Sequence, residues 1–340
     1  MILSTTKELR LHIPSNAIDE ISSLQGILDN SEKDFLRDKL GDSLYNRLCE
    51  YYQTVSPDDF YLSVCNGEHI HQPWQQLLLM AQRVVAYDAM ARFAYPQALS
   101  INGTGINVAS SEDYGAASKD LIDKGVQGYK REAMVSLNQM LVMLEGWAKK
   151  MTTPAAINTE QPATESKDEE HKAIEEISLL WQESTYYYLH HDLLIATCAE
   201  LQHYLDIYES REKFIRLLPD LHFIQDEYIS EAIGEPMVQQ LLTSTDPEDK
   251  PLLRKVRRLM VAHLEERTTI LTIDKARRSA AHNEAVALRS SVLRLVEMRK
   301  AVGKANAEVN SADSKNHSDN QKGYENNQPG SKIFVSPLLY

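Results

Sequence analysis

The chain has 340 residues, 43% of them hydrophobic, with 13 glycines and 12 prolines, which is typical of a helix-rich globular protein of about two domains. Its formal net charge of −13 argues against nonspecific nucleic-acid binding by the whole surface, because phosphates repel an acidic protein. No apolar run reaches the length of a membrane span, and the first ten residues, MILSTTKELR, lack the apolar core of a signal peptide.

The first elements predicted are a short strand at Met1–Leu3 and a helix over about Thr6–Ile13. Thr5 and Glu8 have the capping-box spacing, in which each side chain binds a free backbone amide at the start of a helix. Pro14 ends this helix, since the residue before a proline is pushed out of helical geometry.

The segment Ile21–Leu48 predicts a helix, a glycine corner and a second helix. Its apolar residues match those of Arg216–Leu242, which fall three to five apart as on one face of a helix. Gly41 matches Gly234 and stands where a helix commonly stops, because only glycine enters the left-handed conformation cheaply. Leu44 then begins the apolar face of the second helix. Ser56–Trp74, with two prolines and a glycine, is interpreted as a loop.

Three further elements complete a first module, residues 1–148. Gln75–Phe93 is apolar on a broad face and is predicted to be a buried core helix. Ala98–Val108 alternates and contains Asn-Gly, which is typical of a β-hairpin. The polar segment Ala109–Tyr114 is predicted to be a contact loop, and a long helix runs from about Ala116 to Lys149.

Residues 149–192 are predicted to be a linker with an aromatic patch. Met151–His171 is rich in Thr, Pro, Ala and Glu and has almost nothing to bury. Ile174–Asp192 contains a run of tyrosines, which favours β-structure and core over a binding platform.

The second half repeats these features in the same order; the capping box and the glycine corner recur at shifts of 192 and 193 residues, and the later elements recur after loops of different length. Thr197 and Glu200 repeat the capping box, and Gly234 and Met237 repeat the glycine corner and the first apolar position after it. The alternative is chance similarity, because any two amphipathic helix pairs look partly alike. The preserved order of the features favours duplication. The sequence therefore predicts a mainly α fold of two internally duplicated helical modules, 1–148 and 193–303, each with a small β-hairpin or strand pair, plus an extended C-terminal arm.

The C-terminal region divides into a helix near Ala280–Ala301 and a flexible tail, residues 304–340. Lys304–Lys332 is polar and aperiodic, so it cannot bury enough surface to fold alone. An apolar terminal octapeptide is costly to leave in water, and it is predicted to dock on its own domain or on a neighbour as an extended or strand-adding arm. The predicted anchors are Ile333, Phe334, Val335, Leu338, Leu339 and Tyr340.

Basic residues concentrate in Pro251–Lys304, which has thirteen Lys and Arg against five Asp and Glu, a net charge of +8. Its densest run comprises Arg254, Lys255, Arg257 and Arg258. This run is either a solvated helix face or the contact surface for an acidic partner, such as another copy of the chain, since opposite charges steer association.

Motifs for catalysis or cofactor binding are missing from the sequence, including the P-loop, GxGxxG, HExxH and GxSxG patterns. Glu200 and His203 have the spacing of a di-iron ligand pair, but the first copy lacks the histidine and Glu200 is better placed as a helix cap. The three cysteines, Cys49, Cys65 and Cys198, are scattered and are interpreted as reduced thiols. We therefore expect no enzyme activity, no metal and no cofactor.

The pattern Asp34-x6-Gly41-x2-Leu44-Tyr45-x2-Leu48, followed by a buried helix, a hairpin and a long helix, resembles head–tail connector (adaptor) proteins of tailed bacteriophages. The full arrangement resembles a duplicated form from phages and prophages of Bacteroides-type gut bacteria, through ILSTTKELRLHI, SKDLIDKGVQGYKREA (118–133), Trp181–Ser184 and SREKFIRLLP (210–219). The second copy departs from the pattern, with Val238 at the place of Tyr45, and typical connectors hold one module.

The resemblance implies a non-enzymatic structural protein of the virion neck, made in the bacterial host cytoplasm. Its implied partners are further copies in a homo-oligomeric, twelve-fold ring, the portal protein, and tail or other neck proteins. Genomic DNA would pass through the lumen without sequence-specific binding, and no membrane is involved. The alternative is an intracellular non-enzymatic adaptor or scaffold that binds a helical or peptide partner.

Overall fold

The structure is a computed structural model that describes residues 1–13, 21–102, 105–108, 118–152, 165–190, 192–268 and 275–320. It is mainly α, as predicted. The chain divides into two compact units, Met1–Pro219 and Asp220–Tyr340. This division differs from the predicted module boundaries, because the aromatic patch and the residues from 193 to 219 belong to the first unit.

The first unit is built around two long helices, α6 and α7, which pack along much of their length. In chain order its elements are α1 (Thr6–His12), α2 (Gln25–Ser31), a π-helical turn (Glu32–Leu36), α3 (Arg37–Leu40), α4 (Asp42–Thr54), α5 (Pro57–Asn66), α6 (Pro73–Ala98), β1 (Leu99–Asn102), β2 (Gly105–Val108), α7 (Lys119–Thr152), α8 (Glu165–Gln182), α9 (Cys198–Gln202) and the first part of α10 (Arg211–Ile224). Strands β1 and β2 pair antiparallel, with Asn102 opposite Gly105.

The predicted strand at Met1–Leu3 is wrong, although Ile2 and Leu3 are fully buried. At this segment side chains, and not a neighbouring strand, provide the hydrogen-bond partners of the backbone. The Ile2 N–H donates to Glu32 Oε1 (2.9 Å), and Gln82 Nε2 donates to the Ile2 carbonyl (2.7 Å). An extended segment can therefore be buried without joining a sheet.

The interpretation of Ser56–Trp74 as a loop is also wrong. Helix α5 occupies most of it, and a 3₁₀ turn (Glu68–His71) follows. Pro57 is the first helical residue, where its missing N–H has no partner to lose, and Gly67 ends the helix with φ of +77°. The proline and the glycine thus mark the two ends of a helix.

The expectation of β-structure for the tyrosine run is wrong as well. Helix α8 extends to Gln182, Tyr186 follows in a turn, and Tyr187 and Tyr188 lie in irregular chain. The prediction that the run contributes to the core is confirmed at Tyr188, which is 1% exposed and lies edge-to-face with buried Trp181, with ring centroids 5.8 Å apart.

The second unit contains the end of α10, a π-helical turn (Gln225–Ile229), α11 (Ser230–Ile233), α12 (Glu235–Thr243), a 3₁₀ turn (Pro247–Asp249), α13 (Lys250–Thr268) and α14 (Lys275–Asn320). Helices α13 and α14 pack together through buried side chains that include Val256, Leu259, Ala285, Val292 and Val296. Helix α14 continues past the predicted end of the final helix, which corrects the start of the predicted tail. Residues 304–320 contain neither proline nor glycine, so helical hydrogen bonding propagates from the packed part.

Several predicted contact segments lie outside the described residues. They are the loop Ala109–Tyr114 and the terminal anchors Ile333, Phe334, Val335, Leu338, Leu339 and Tyr340. They stay predictions.

One succession of elements occurs in both units, 193 residues apart. The π-helical turns Glu32–Leu36 and Gln225–Ile229 are each followed by a four-residue helix, α3 or α11, and then by a glycine. Gly41 has φ of +80° and ψ of 157°, and Gly234 has φ of +87° and ψ of 140°. The positive φ agrees with the prediction, but the large ψ places both outside the left-handed helical region, in conformations that belong to glycine. Helices α4 and α12 begin at the next residue.

Candidate assembly surfaces

The predicted capping box at the start of α1 is confirmed. The Glu8 N–H donates to Thr5 Oγ1 (3.3 Å), and the Thr5 N–H donates to Glu8 Oε2 (3.0 Å). Glu8 is fully buried and also accepts from the Tyr52 hydroxyl (2.9 Å) and Gln82 Nε2 (3.0 Å). Its carboxylate is thus occupied in holding the first helix to the core.

Thr197 and Glu200 adopt a similar arrangement at the start of α9. The Glu200 N–H donates to Thr197 Oγ1 (3.2 Å), and the Ala196 N–H donates to Glu200 Oε2 (2.8 Å). At the first copy the Ser4 N–H, 192 residues earlier, donates to Glu8 Oε2 (3.3 Å). Glu200 is therefore a capping residue, as the sequence predicted.

The two glycine corners differ in their surroundings. A Cβ on Gly41 would lie 3.0 Å from the Cα of Ser184, whereas a Cβ on Gly234 would meet only Pro236 Cδ, at 3.8 Å. After these glycines, Leu44 is fully buried and Met237 is half-buried. These residues serve packing.

The basic residues singled out in the sequence lie on α13 but not all on one face. Arg254 and Arg258 are exposed, and Lys255 and Arg257 are half-buried. Lys255 Nζ donates to Ser291 Oγ (2.6 Å), and Arg258 forms an ion pair with Glu284 (3.3 Å), so these two connect α13 to α14. No hydrogen bond or ion pair joins the Arg254 side chain to another residue within the described ranges.

A basic face is formed by Lys250, Arg254 and Arg258, four residues apart and all exposed. It lies opposite the buried residues of α13, which include Leu252, Val256 and Leu259. The sequence prediction left out Lys250 because a dense run of basic residues does not show which of them share one side of a helix.

Helix α8 carries an acidic face that the sequence analysis had assigned to a linker. Glu169, Glu175 and Leu179 are exposed, and Glu183, one residue past the helix, is exposed as well. The opposite side buries Ile174, Ile177 and Trp181. The 57% exposure of Leu179 places an apolar side chain among the carboxylates.

Helix α7, 34 residues long, exposes apolar and small residues along one side. Leu121, Val135 and Val142 are 63%, 41% and 41% exposed and recur at multiples of seven. Gly125, Gly128 and Gly146 lie on the same side, and a Cβ on any of them would meet nothing within 4 Å. We call this set of six residues the α7 stripe. At its three glycines, no neighbouring atom of the described residues excludes a larger side chain.

A buried ionic cluster connects α7 to the chain that follows α8. Glu145, 4% exposed, accepts from the Tyr188 hydroxyl (2.7 Å) and from Arg211 Nε (3.2 Å), and it also pairs with Lys149. Burial alone would raise the pKa of Glu145, but the hydrogen bonds from Lys149 and Tyr188 and the two positive charges lower it. Sequence reasoning missed this cluster because its members are far apart in the chain.

No described helix is both long enough and apolar enough to cross a membrane. Within the described ranges, no group of three or more His, Cys, Asp or Glu residues is placed to hold a metal ion. Cys65 is exposed, Cys49 is half-buried and Cys198 is buried, and all three are free thiols.

Comparison with known proteins gives one match. Residues 36–152, about a third of the chain, are similar to a family of unknown function (DUF6712). Searches of curated proteins and of solved structures found no match. The matched region begins at the end of the first π-helical turn and ends with α7.

Proposed function

We propose that the chain contains two copies of one helical module, duplicated in tandem. The support is local and repeated at spacings of 192 or 193 residues: the capped helices at Thr5 and Thr197, the π-helical turns, and the glycines of positive φ at 41 and 234. A π-helical turn is rare in an α-helical protein, so its recurrence at the same place before a glycine is hard to reach by chance. The family match to residues 36–152 alone agrees with a first module that ends near α7.

We further propose that the protein is a structural component of the head–tail connector of a tailed bacteriophage, present in the virion neck. In this proposal it forms a homo-oligomeric ring on the portal protein, contacts tail or other neck proteins, and surrounds the passage of the genomic DNA without catalysing a reaction. The connector role rests on the resemblance of the Gly41 pattern and the elements after it.

The observation that carries the proposal is the α7 stripe. An exposed row of Leu121, Val135 and Val142 interleaved with helical glycines is unfavourable for an isolated chain, because each glycine weakens a helix by about 1 kcal/mol relative to alanine. Small and apolar residues along a helix permit close approach of another helix. A protein that packs against further chains has a use for such a surface.

The net charge supports the same reading. A chain of −13 lining a DNA passage would repel the phosphates and let DNA slide without adhering. The basic region of residues 251–304 is then available for protein contacts.

The test is electron microscopy of negatively stained protein, alone and after mixing with the purified portal protein of the same phage. We expect discrete rings in one or both samples, coaxial with the portal in the mixture. A chain that stays monomeric in both samples contradicts the connector proposal.

The same images discriminate the alternative, an intracellular adaptor for a helical or peptide partner. The α7 stripe also suits a single partner helix laid along it. An adaptor predicts a small oligomer with no affinity for the portal, and light scattering coupled to gel filtration gives its mass.

A further inference from the structure

We propose that the basic face of α13 (Lys250, Arg254 and Arg258) in one copy docks on the acidic face of α8 (Glu169, Glu175, Leu179 and Glu183) in the next copy. This inference rests on the proposed ring and names the contact between its subunits. It assigns a partner to two surfaces of which the fold uses only Arg258, paired with Glu284, and Glu183, bound by Ser43.

The two faces are exposed and largely without internal partners. In the described part of the chain, no hydrogen bond or ion pair engages the side chains of Glu169, Glu175 or Arg254. Within the faces, Glu183 accepts from Ser43 and Arg258 pairs with Glu284, so the unengaged charge is concentrated at Glu169, Glu175, Lys250 and Arg254. Charges left in this way contribute nothing to folding and are available to a partner.

The charges of the two units favour a second copy as the occupant. Residues 1–219 have 19 Lys and Arg against 32 Asp and Glu, whereas residues 220–340 have 17 of each. The excess negative charge is densest in α8, where six Asp and Glu accompany two Lys. Every copy therefore carries both an acidic face and a basic one, in the same stoichiometry.

Symmetry follows from this charge separation. Two acidic faces repel, and so do two basic faces, which disfavours a two-fold contact of either face with itself. The attractive pairing joins unlike faces of different copies. In the proposed ring each copy pairs its two faces with two different neighbours, and such a head-to-tail contact leaves one free face at each end and closes when the rotation permits.

The acidic face also contains an apolar centre. Leu179 is more than half exposed between the carboxylates, and the aliphatic stems of Arg254 and Arg258 are suited to cover it. Apolar contact would supply affinity at the centre, while the charges around it select the partner and raise the rate of encounter.

Charge reversal tests the contact with two full-length variants. One is E169K/E175K, whose α8 face becomes basic; the other is K250E/R254E, whose α13 face becomes acidic. Neither substitution touches a residue in a described ion pair, and circular dichroism verifies that each variant folds. Matched controls reverse exposed charges elsewhere, with D58K in the first unit and R216E on α10.

Self-association is measured by sedimentation velocity at low and at physiological salt. We expect each reversed variant to associate at least ten-fold more weakly than the wild type, and the controls to associate normally. An equimolar mixture of the two variants restores assembly, because each reversed face then meets its opposite. Wild-type association weakens as salt rises, since ions screen exposed charges over about 10 Å.

Three results overturn the contact. They are unchanged association of either variant, failure of the mixture to assemble, and a wild type that does not self-associate at any concentration. If K250E/R254E loses only portal binding, the basic face belongs to the portal contact, and the inter-subunit assignment is wrong while the connector proposal stands. Rings that form equally well from both variants would likewise show that the inter-subunit assignment is wrong while the connector proposal stands.

Discussion

Gly41 and Ser184 touch so closely that no side chain fits between them. A Cβ on Gly41 would lie 3.0 Å from both the Cα and the Cβ of Ser184. Ser184 Oγ also donates to the carbonyl of Lys39 (3.2 Å). The glycine corner is thus the place where the chain after α8 is fixed to the first helices.

Replacing Gly41 by alanine is therefore expected to destabilise more than the same change at Gly234. Both substitutions force alanine into a conformation that costs about 1–3 kcal/mol, and only G41A adds a clash with a backbone atom. All three tryptophans, Trp74, Trp147 and Trp181, are in the first unit, so their fluorescence during urea unfolding reports that unit alone. G234A serves as the control and should leave the tryptophan transition in place. Equal transitions for wild type and G41A would contradict the contact.

The cluster around Glu145 gives a second prediction. E145Q removes the charge that Arg211 and Lys149 face, and we expect it to lower the free energy of unfolding of the first unit by about 1–3 kcal/mol at pH 7. The pKa of Glu145 is lowered in the folded state, so its contribution is full above the ordinary carboxyl pKa and is lost as pH falls through the folded value.

The control for Glu145 is R216Q, which removes an exposed ion pair with Glu212 from the same helix as Arg211. It should change stability by less than about 0.5 kcal/mol, because solvent screens exposed pairs. Tryptophan fluorescence again gives the transition. If E145Q and R216Q changed the free energy of unfolding by the same amount, the ion pairs of Glu145 would be no stronger than surface pairs.

Local sequence patterns predicted the elements that local physics determines. The caps at Thr5 and Thr197, the glycine corner and helix α7 follow from spacing and conformational preference within a few residues. The Glu145 cluster and the close approach of Ser184 to Gly41 join residues 43 to 143 positions apart, and no periodicity reports such pairs. Helix α8 was mistaken for a linker because its buried face is short, and its acidic face resembles solvated chain.

The candidate surfaces were likewise predictable from the sequence only in part. Composition located the basic region of residues 251–304, but selecting Lys250, Arg254 and Arg258 as one face required the helix and its buried side. The exposure of the α7 stripe was equally out of reach, since an apolar residue on a helix is ordinarily expected to face inward, whereas Leu121 is 63% exposed.

Protonation of His12 should make the first unit sensitive to mild acid. Burial lowers the pKa of His12 from its usual 6.5 to about 4, with the charge of Arg83 acting in the same direction. Between these values the unfolded chain binds a proton that the folded chain does not, so stability falls as pH decreases from about 6.5 to about 4. A shift of this size corresponds to about 3 kcal/mol.

The measurement compares urea unfolding of wild type and H12Q at several pH values between 7 and 4. The difference in stability between them should shrink or invert as pH falls, because the variant has no imidazole to protonate. H71Q, which changes an exposed histidine, should follow the wild-type curve. Parallel curves for wild type and H12Q would show that His12 does not stay neutral in the folded unit.

Alanine at the helical glycines of α7 should have opposite effects on folding and on assembly. A Cβ at Gly125 or Gly146 meets nothing within 4 Å, so G125A and G146A should each raise the stability of the first unit by about 0.5–1 kcal/mol. If the α7 stripe packs against another chain, the added methyl groups hold that helix away and weaken self-association. Gly26 of α2 is also exposed with open space around it, so G26A controls for stabilisation alone. Sedimentation velocity of G125A/G146A and G26A at equal concentration gives the answer: weaker association only in the first assigns the stripe to an interface, and unchanged association in both removes it from the assembly.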